Sequence, residues 1–321
     1  MRTRDLYGTV QGDLARVEAL FDSIKEVDYG PLGEMLGMVL GGGGKLLRPA
    51  LVLLSGRFAH YNLDLLVPLA ASVELLHTAT LVHDDVIDAA DTRRGRPTVN
   101  SAHENSTTVM VGDYLFAHAA DQVVKTDNLR VVRLFSETLM TLATGEIRQD
   151  LAAYDSRQTI RDYLQRIGGK TASLFSCACE GGAVVSGAPE EWIAALRDYG
   201  YHFGMAFQVV DDILDFTGDE SEMGKPVGSD LMQGTLTLPS LLLVERHPND
   251  NPVQEYFVRP KPETLAEAIE MIRSQGIAEE SYEMAHDFSR RAVEAVEAEL
   301  PDVAERQTLL DLAEWSLARR S

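Results

Sequence analysis

Apolar residues recur along this chain mostly at spacings of three and four, the pattern of amphipathic helices. In 12–27 the apolar stripe consists of Leu14, Val17, Leu20, Phe21 and Ile24. The same periodicity predicts further helices at 64–88, 106–125, 129–153, 158–186, 190–217, 235–246, 263–274, 279–299 and 303–319. No alternating run is long enough to predict a strand. We therefore expect an all-α protein.

The breaks between these helices contain clusters of Gly, Pro, Asp and Asn, as turns require. They lie at 41–44, 89–101, 217–234 and 247–262. None of them has the low complexity of a linker, and no composition shift divides the chain. The length would allow two domains, but the pattern favours a single domain over residues 1–321.

The charge balance excludes several classes of partner. The chain has 29 Lys+Arg against 50 Asp+Glu, a formal net charge of −21. A dedicated nucleic-acid binder needs a basic surface that this composition does not provide. Electrostatic docking on anionic lipid is disfavoured for the same reason. Apolar residues make up 45% of the chain, enough for a sizeable core.

The chain shows no sequence pattern of a membrane anchor or secretory signal. No uninterrupted apolar stretch approaches the ~18–20 residues that span a bilayer, and the start, Met1–Asp5, is polar. The two cysteines are Cys177 and Cys179. Residues two apart on a helix point in different directions, so we expect neither a disulfide nor a zinc pair. These features predict a cytoplasmic protein with reduced thiols.

One acidic motif, D-D-x-x-D, occurs twice, each time near the end of a predicted helix. Its residues are Asp84, Asp85 and Asp88, and then Asp211, Asp212 and Asp215. Negative charge there opposes the helix dipole, so we expect the charge to have a use. Residues i and i+4 share a helix face, and clustered carboxylates suit hard cations such as Mg²⁺. A solvated acidic helix end is the alternative, which the duplication disfavours.

Basic residues stand near these motifs in an otherwise acidic chain. They are Lys45, Arg48, Arg93, Arg94, Lys170 and Lys225. Beside a divalent cation they suit a phosphate-bearing substrate, although each taken alone could be ordinary surface charge. Gly41–Lys45 is not a P-loop, because Leu46 stands where that loop has Ser or Thr.

Six blocks of sequence, in order, resemble the trans-isoprenyl diphosphate synthases. They are GGGGKLLRP (41–49), ELLHTATLVHDDVIDAADTRRGRPT (74–98), GDYL (112–115), GGKTASLF (168–175), FQVVDDILDFTGD (207–219) and GKPVGSDLMQGTLTLP (224–239). The resemblance implies the isoprenoid synthase fold, a bundle of mostly antiparallel helices around a deep central cavity. It also implies a homodimer.

The resemblance implies a role for each matching residue. The six aspartates would hold Mg²⁺, three ions in all, on the diphosphate of an allylic substrate. Further contacts to that diphosphate are implied for Arg93, Lys170, Thr171, Gln208 and Lys225. The isopentenyl diphosphate pocket is implied for Lys45, Arg48, His77 and Arg94. His77 lies two helical turns before Asp84, and its alternative role is that of a core histidine.

The residues before the first motif predict a long product. Short-chain members of the family often carry a bulky aromatic residue four or five positions before the first aspartate, where this chain has Ala79 and Thr80. HTATLVHDD also resembles hepta-, octa- and nonaprenyl synthases, so we expect about C30–C50. Thr235 stands where many members carry a Lys that contacts the allylic diphosphate; some long-chain members also lack this Lys, which agrees with a long product. Alternatively the cavity floor lies elsewhere, for example at Phe116.

Three other functions remain open. A short-chain synthase would make a C15 or C20 product. A class I terpene cyclase usually lacks the second aspartate motif and does not need Lys45, Arg48 and His77. A regulatory subunit of a heteromeric synthase tends to lose the metal-binding aspartates, and all six are present here. The acidic segment 265–320 has no recognisable motif, and we expect it to serve packing.

Overall fold

The protein is almost entirely helical in a computed structural model that describes residues 6–42, 44–93, 95–219 and 226–319. Its helical content is 76%, with almost no sheet, which confirms the predicted all-α class. The first helices are α1 (Leu14–Lys25), α2 (Gly30–Leu40), α3 (Leu47–Gly56), α4 (Leu63–Ile87), α5 (Val99–Ala102) and α6 (Asn105–Val124). They are followed by α7 (Leu129–Leu151), α8 (Ile160–Ile167), α9 (Ser173–Val185), α10 (Glu190–Thr217), α11 (Ser229–Met232), α12 (Leu238–Arg246), α13 (Pro252–Val258), α14 (Pro262–Ser274), α15 (Ile277–Glu299) and α16 (Ala304–Ala318).

The predicted helices are present, with one interruption and five additions. The segment 158–186 is divided by a π-helical turn, Gly168–Ala172, between α8 and α9. The periodicity did not predict α2, whose three glycines lower its helix propensity. It also missed α3, which is buried almost throughout and therefore has no polar face to reveal a period. The remaining three are short: α5 begins inside the predicted break 89–101, and α11 and α13 lie inside the breaks 217–234 and 247–262.

The predicted break at 89–101 contains the one pair of strands among the described residues. Strands β1 (Thr92–Arg93) and β2 (Arg96–Pro97) form an antiparallel hairpin, with Thr92 opposite Pro97. Gly95 in the turn has a φ of +73°, which glycine adopts without strain. Strands of two residues are too short for an alternating pattern, so the sequence did not predict them.

The described residues group into two compact units. The first contains described residues of Met1–Leu139, Leu174–Gly200 and Glu294–Leu312. The second contains those of Met140–Ser173, Tyr201–Val293 and Ala313–Ser321. Each unit draws on segments that are distant in sequence, and the single domain over 1–321 remains a prediction.

Helix α4 forms the centre of the first unit, where it packs against α3 and α6. Its contact with α6 is very close at Gly112, where an added Cβ would lie 2.1 Å from Nε2 of His83. Any larger residue at Gly112 would therefore displace the ring of His83. The apolar side of α4 includes the fully buried Leu69 and Leu76.

Helix α4 is also long and apolar enough to cross a membrane, the one such helix in the described residues. The sequence had predicted no apolar stretch of this length. A few polar residues interrupt α4 without making it polar on average, and 61% of its most apolar window is buried inside the structure. Packing on α3 and α6 therefore accounts for its composition.

The second unit has a core of large side chains from α8, α10, α12 and α14. Tyr163 and Ile167 of α8 meet Val209, Ile213 and Phe216 of α10 in this core. Both Tyr163 and Phe216 are fully buried. The apolar positions of α10 thus anchor the helix turn that carries the second aspartate motif.

Candidate active site

The first aspartate motif lies at the end of α4, within the first unit. Asp84 is half-buried, Asp85 is buried, and Asp88 is the exposed residue that caps the helix. The backbone N–H of Asp88 donates to the carbonyl of Asp84 at 2.8 Å. The motif therefore presents carboxylates at the surface on the i and i+4 positions, as predicted from their spacing.

Arg93 on β1 holds the buried member of this motif. Its Nε donates to Oδ1 of Asp85 at 2.7 Å. Burial raises the pKa of Asp85, and the charge and hydrogen bond of Arg93 oppose that rise. The amide of Asn100 donates to the carbonyls of Asp85 and Ala90, which ties the hairpin segment to the helix end.

The second motif lies in α10, within the second unit, and is much more enclosed. Asp211 is half-buried, and its Oδ1 accepts from Nη1 of Arg319 at 2.7 Å. Asp215 is fully buried. Its two carboxylate oxygens accept from the hydroxyl of Ser229 at 2.7 Å and the backbone N–H of Asp230 at 3.2 Å. Asp215 therefore holds the start of α11.

Asp212 is the buried centre of a hydrogen-bond network. The hydroxyl of Tyr163 donates to its Oδ2 at 2.7 Å, and the amide of Gln208 donates to its Oδ1 at 2.8 Å. Thr171 in turn donates to Oε1 of Gln208 at 2.7 Å. Burial and the nearby charge of Asp230 raise the pKa of Asp212 to about 7, against the hydrogen bonds that favour its ionised form.

The π-helical turn carries two residues of the predicted allylic site. Thr171 joins the network of Asp212, and Nζ of Lys170 lies 2.7 Å from Oε1 of Glu146. A π-helical turn widens the helix locally and is frequent at functional sites. The structure thus gathers Lys170, Thr171 and Gln208 in the second unit.

A cavity of about 440 Å³ lies within the first unit. Three residues of the predicted site, His77, Asp85 and Arg93, contribute to its wall. The wall also contains acidic and basic groups, including Asp22 and Arg96, so its charge does not select an anion by itself. Part of the wall is the end of α2 with the glycines that follow it.

Two residues predicted to share a pocket with His77 do not contribute to this wall. Lys45 is exposed. The guanidinium of Arg48 lies 4.3 Å above the ring centre of Phe175. Arg94 and Lys225, also predicted for the substrate sites, lie outside the described residues.

The predicted chain-length residues lie between Thr78 and Leu81 of the cavity wall but are not among the residues of that wall. Ala79 is fully buried, and Thr80 is half-buried with its hydroxyl bonded to the carbonyl of His77. Phe116 makes an edge contact with the ring of His83. Thr235, in place of the usual Lys, donates its backbone N–H to Asp230.

The carboxylates of the two motifs suit a hard divalent cation whose remaining ligands come from water and substrate. Within the part of the chain that the structure describes, no three His, Cys, Asp or Glu side chains form a metal site. Mg²⁺ binds through one or two carboxylates and takes its remaining oxygens from water and phosphate. The partly accessible carboxylates of Asp84, Asp88 and Asp211 match that requirement.

Sequence reasoning missed three residues of the second unit. Tyr163 is bonded to Asp212 but looks like one core tyrosine among several. Arg166 is buried, and its guanidinium lies 5.5 Å from the ring centre of Tyr163. It donates to the carbonyl of Leu236. Arg319 lies in the segment without a recognisable motif. Only its position in an acidic region, next to a second arginine, could have singled it out.

Comparison with known proteins identifies close relatives over the whole chain. The polyprenyl synthetase family model matches residues 31–274. The "Heptaprenyl diphosphate synthase component 2" of Geobacillus stearothermophilus is 40% identical over 317 residues, which cover 98% of each chain. The decaprenyl diphosphate synthase structure from Rhodobacter capsulatus has a TM-score of 0.92 at 37% identity, over 99% of both chains.

A further solved structure is a polyprenyl synthase from Caulobacter crescentus CB15 complexed with calcium and isoprenyl diphosphate. It has a TM-score of 0.94 at 33% identity and covers 99% of this chain and 98% of its own. The chain has the all-α isoprenoid synthase fold of these structures, which the sequence resemblance predicted.

Proposed function

Because this chain belongs to the polyprenyl synthetase family, we propose that it is a trans-polyprenyl diphosphate synthase with a long-chain product. This transferase condenses an allylic diphosphate with successive isopentenyl diphosphate units. The observation that carries the proposal is similarity over nearly the full length to long-chain synthases, in a chain that has both aspartate motifs. The same similarity disfavours a terpene cyclase.

The environments of the six aspartates suggest a division of labour. We propose that Asp84, Asp88 and Asp211 hold Mg²⁺, with three ions expected when the substrate is present. The Caulobacter relative is complexed with calcium and isoprenyl diphosphate, which supports a divalent cation together with a diphosphate in this fold. When bound, Mg²⁺ acts as a Lewis acid that stabilises charge on the leaving diphosphate. Asp85, Asp212 and Asp215 are buried and accept hydrogen bonds from protein donors, so they position the site.

The chain's basic side chains bind the two diphosphates in this proposal. Arg93, Lys170 and Lys225 carry positive charge toward the allylic diphosphate, with Thr171 and Gln208 as hydrogen-bonding partners. Lys45, Arg48, His77 and Arg94 bind isopentenyl diphosphate. Preorganised charges of this kind stabilise the negative charge that develops as the allylic C–O bond breaks.

The reaction forms one C–C bond and breaks one C–O bond in each cycle. Cleavage of the allylic C–O bond gives a delocalised carbocation and diphosphate. The double bond of isopentenyl diphosphate attacks the cation, and the resulting tertiary cation loses a proton to the departed diphosphate. Apolar surroundings must exclude water, which would otherwise trap the cation.

The product length is proposed as about C30–C50, from the small residues Ala79 and Thr80 and from the long-chain relatives. A large ring at either position should shorten the product if the growing chain passes there. Ala79 is fully buried whereas Thr80 is half-buried, so Thr80→Phe is the gentler test and Ala79→Tyr the stronger one. Product length from each folded variant, compared with wild type, would show whether this face of α4 limits elongation.

We also propose that the enzyme is a cytoplasmic homodimer. One relative is a component of a heptaprenyl synthase, so assembly with a second protein is the alternative. Size-exclusion chromatography with light scattering on the purified chain distinguishes a dimer from a monomer. Activity that requires a second protein would contradict the homomeric form.

The function is tested with the purified chain, Mg²⁺, farnesyl diphosphate and radiolabelled isopentenyl diphosphate. Thin-layer chromatography of the dephosphorylated products should show chains of about C30–C50. Omission of Mg²⁺ is the control and should abolish product. A dominant C15 or C20 product would contradict the long-chain assignment, and a cyclic hydrocarbon from farnesyl diphosphate alone would contradict the transferase.

A further inference from the structure

A buried arginine from outside both motifs forms an ion pair with the second aspartate motif. Arg319 follows α16, and its side chain is only 2% exposed, whereas that of Asp211 is 41% exposed. Their atoms Nη1 and Oδ1 are 2.7 Å apart. Burying a guanidinium costs several kcal/mol unless good partners compensate. Its position beside a proposed metal ligand therefore calls for a functional reason.

Arg319 is held by contacts that do not involve Asp211. Its Nη2 donates to the carbonyl of Phe207 at 2.7 Å, and its Nε donates to the carbonyl of Ser316 at 3.2 Å. The guanidinium also lies 3.7 Å from the ring centre of Phe207 and 5.9 Å from that of Trp315. These contacts fix the positive charge whether or not Asp211 stays bonded to it.

Asp211 differs from the other two aspartates of its motif because part of its side chain is accessible to solvent. One oxygen, Oδ1, accepts from Arg319, and two-fifths of the side chain is exposed. Asp212 and Asp215 are buried, and both oxygens of each accept hydrogen bonds. Asp211 can therefore bind a cation while Arg319 holds its orientation.

We propose that Arg319 is a positioning residue that makes cation binding at Asp211 depend on diphosphate. Its fixed charge orients the carboxylate and repels a divalent cation that arrives alone. A bound diphosphate brings negative charge that offsets this repulsion, so cation and diphosphate bind cooperatively. The inference rests on the proposed role of Asp211 as a metal ligand.

The expected size of the effect follows from Coulomb's law. A charge of +1 and a charge of +2 that lie about 6 Å apart in water repel by an amount that lowers affinity about tenfold. Removing the charge of Arg319 should tighten cation binding by about that factor in the absence of diphosphate. The gain in cation affinity that diphosphate provides should shrink by a similar factor.

The test measures Mn²⁺ binding without turnover, by electron paramagnetic resonance of the free ion, with and without inorganic pyrophosphate. The Mn²⁺ binding that is lost in Asp211→Asn is assigned to this site. Arg319→Gln should bind Mn²⁺ about tenfold more tightly at this site without pyrophosphate. Arg319→Lys keeps the charge and should remain near wild type. Arg291→Gln removes the same charge from an exposed pair with Asp287, and should also resemble wild type.

Unchanged or weaker Mn²⁺ binding at this site in folded Arg319→Gln would overturn the inference. If this variant does not fold, the fluorescence of Trp315 in a Trp192→Phe background provides a second test on an intact Arg319. The Mg²⁺ concentration that gives half of the fluorescence change should be lower with pyrophosphate than without it. Equal responses to Mg²⁺ with and without pyrophosphate would overturn the inference as well.

Failure of this inference is distinguishable from failure of the proposed function. If wild type makes polyprenyl product and Arg319→Gln has unaltered Mn²⁺ affinity, only the role of Arg319 is wrong. If Asp211→Asn retains both full Mn²⁺ binding and product formation, the metal assignment of Asp211 is wrong.

Discussion

The two aspartate motifs share a spacing, yet they sit in different surroundings. The first lies in the last turn of α4, where Asp88 is exposed and the hydrogen bond from Arg93 reaches the buried Asp85. The second lies within α10, where Asp212 and Asp215 are buried and bonded on both oxygens. Asp84 and Asp211, the first residues of the two motifs, are the one matching pair in which both side chains are half-buried.

This contrast shows that an identical sequence motif does not imply identical roles for its members. An exposed carboxylate is accessible to a cation from solution. A buried carboxylate that accepts two hydrogen bonds stabilises the local structure, and withdrawing it would leave donors unsatisfied. We therefore expect the last aspartate of the first motif to affect activity and that of the second to affect stability.

The largest expected effect concerns the two residues with similar environments. Asp84→Ala or Asp211→Ala should lower turnover by about 10³-fold, because each removes a proposed ligand for the cation that stabilises the leaving group. The melting temperature of Asp84→Ala should change little, since Asp84 is half-buried at the end of α4, whereas Asp211→Ala also removes the anionic partner of the buried Arg319 and should lower the melting temperature. Steady-state rates and thermal melts of the purified variants provide the measurement. Rates close to wild type in either variant would contradict its role as a metal ligand.

A second prediction contrasts the last aspartate of each motif. Asp215→Ala should lower the free energy of unfolding by about 2–4 kcal/mol, because it leaves the donors of Ser229 and Asp230 without their buried acceptor. Asp88→Ala should leave stability nearly unchanged and reduce turnover. Urea unfolding of the metal-free proteins measures the difference. Equal losses of stability in both variants would remove the contrast between the motifs.

Much of the fold could be predicted from sequence, because amphipathic helices such as α1 reveal their period. Helix α3 could not, since it is buried almost throughout and has no polar face. The i and i+4 pairing within each motif was also predictable, because it depends on local helix geometry alone. The burial of the second motif was not, because its partners are remote: Arg319 is 108 residues from Asp211, and Tyr163 is 49 from Asp212.

A third prediction tests whether the network around Asp212 matters for function. Tyr163→Phe removes one donor to this carboxylate and should lower stability by about 1–2 kcal/mol. It should also raise the KM for the allylic diphosphate, because Gln208 and Thr171 belong to the same network. Tyr199→Phe is a matched control, since the buried hydroxyl of Tyr199 donates to the carbonyl of Leu309. The control should lose similar stability without a change in KM; equal KM values in the two variants would reduce Tyr163 to a packing role.

The smallest expected effect concerns the arginine of the first motif. Arg93 is 36% exposed in its pair with Asp85, and partly solvated pairs contribute about 0–1 kcal/mol. Arg93→Gln should therefore change stability by less than about 1 kcal/mol while raising the KM for the allylic diphosphate.

Arg166→Gln is the contrasting variant in the second unit, because Arg166 is buried and bonded to Leu236 and Gln158. Urea unfolding should show a much larger loss for Arg166→Gln. If Arg93→Gln were the more destabilising of the two, the first motif would depend on internal contacts as much as the second, and the division between accessible ligands and buried positioning residues would not hold.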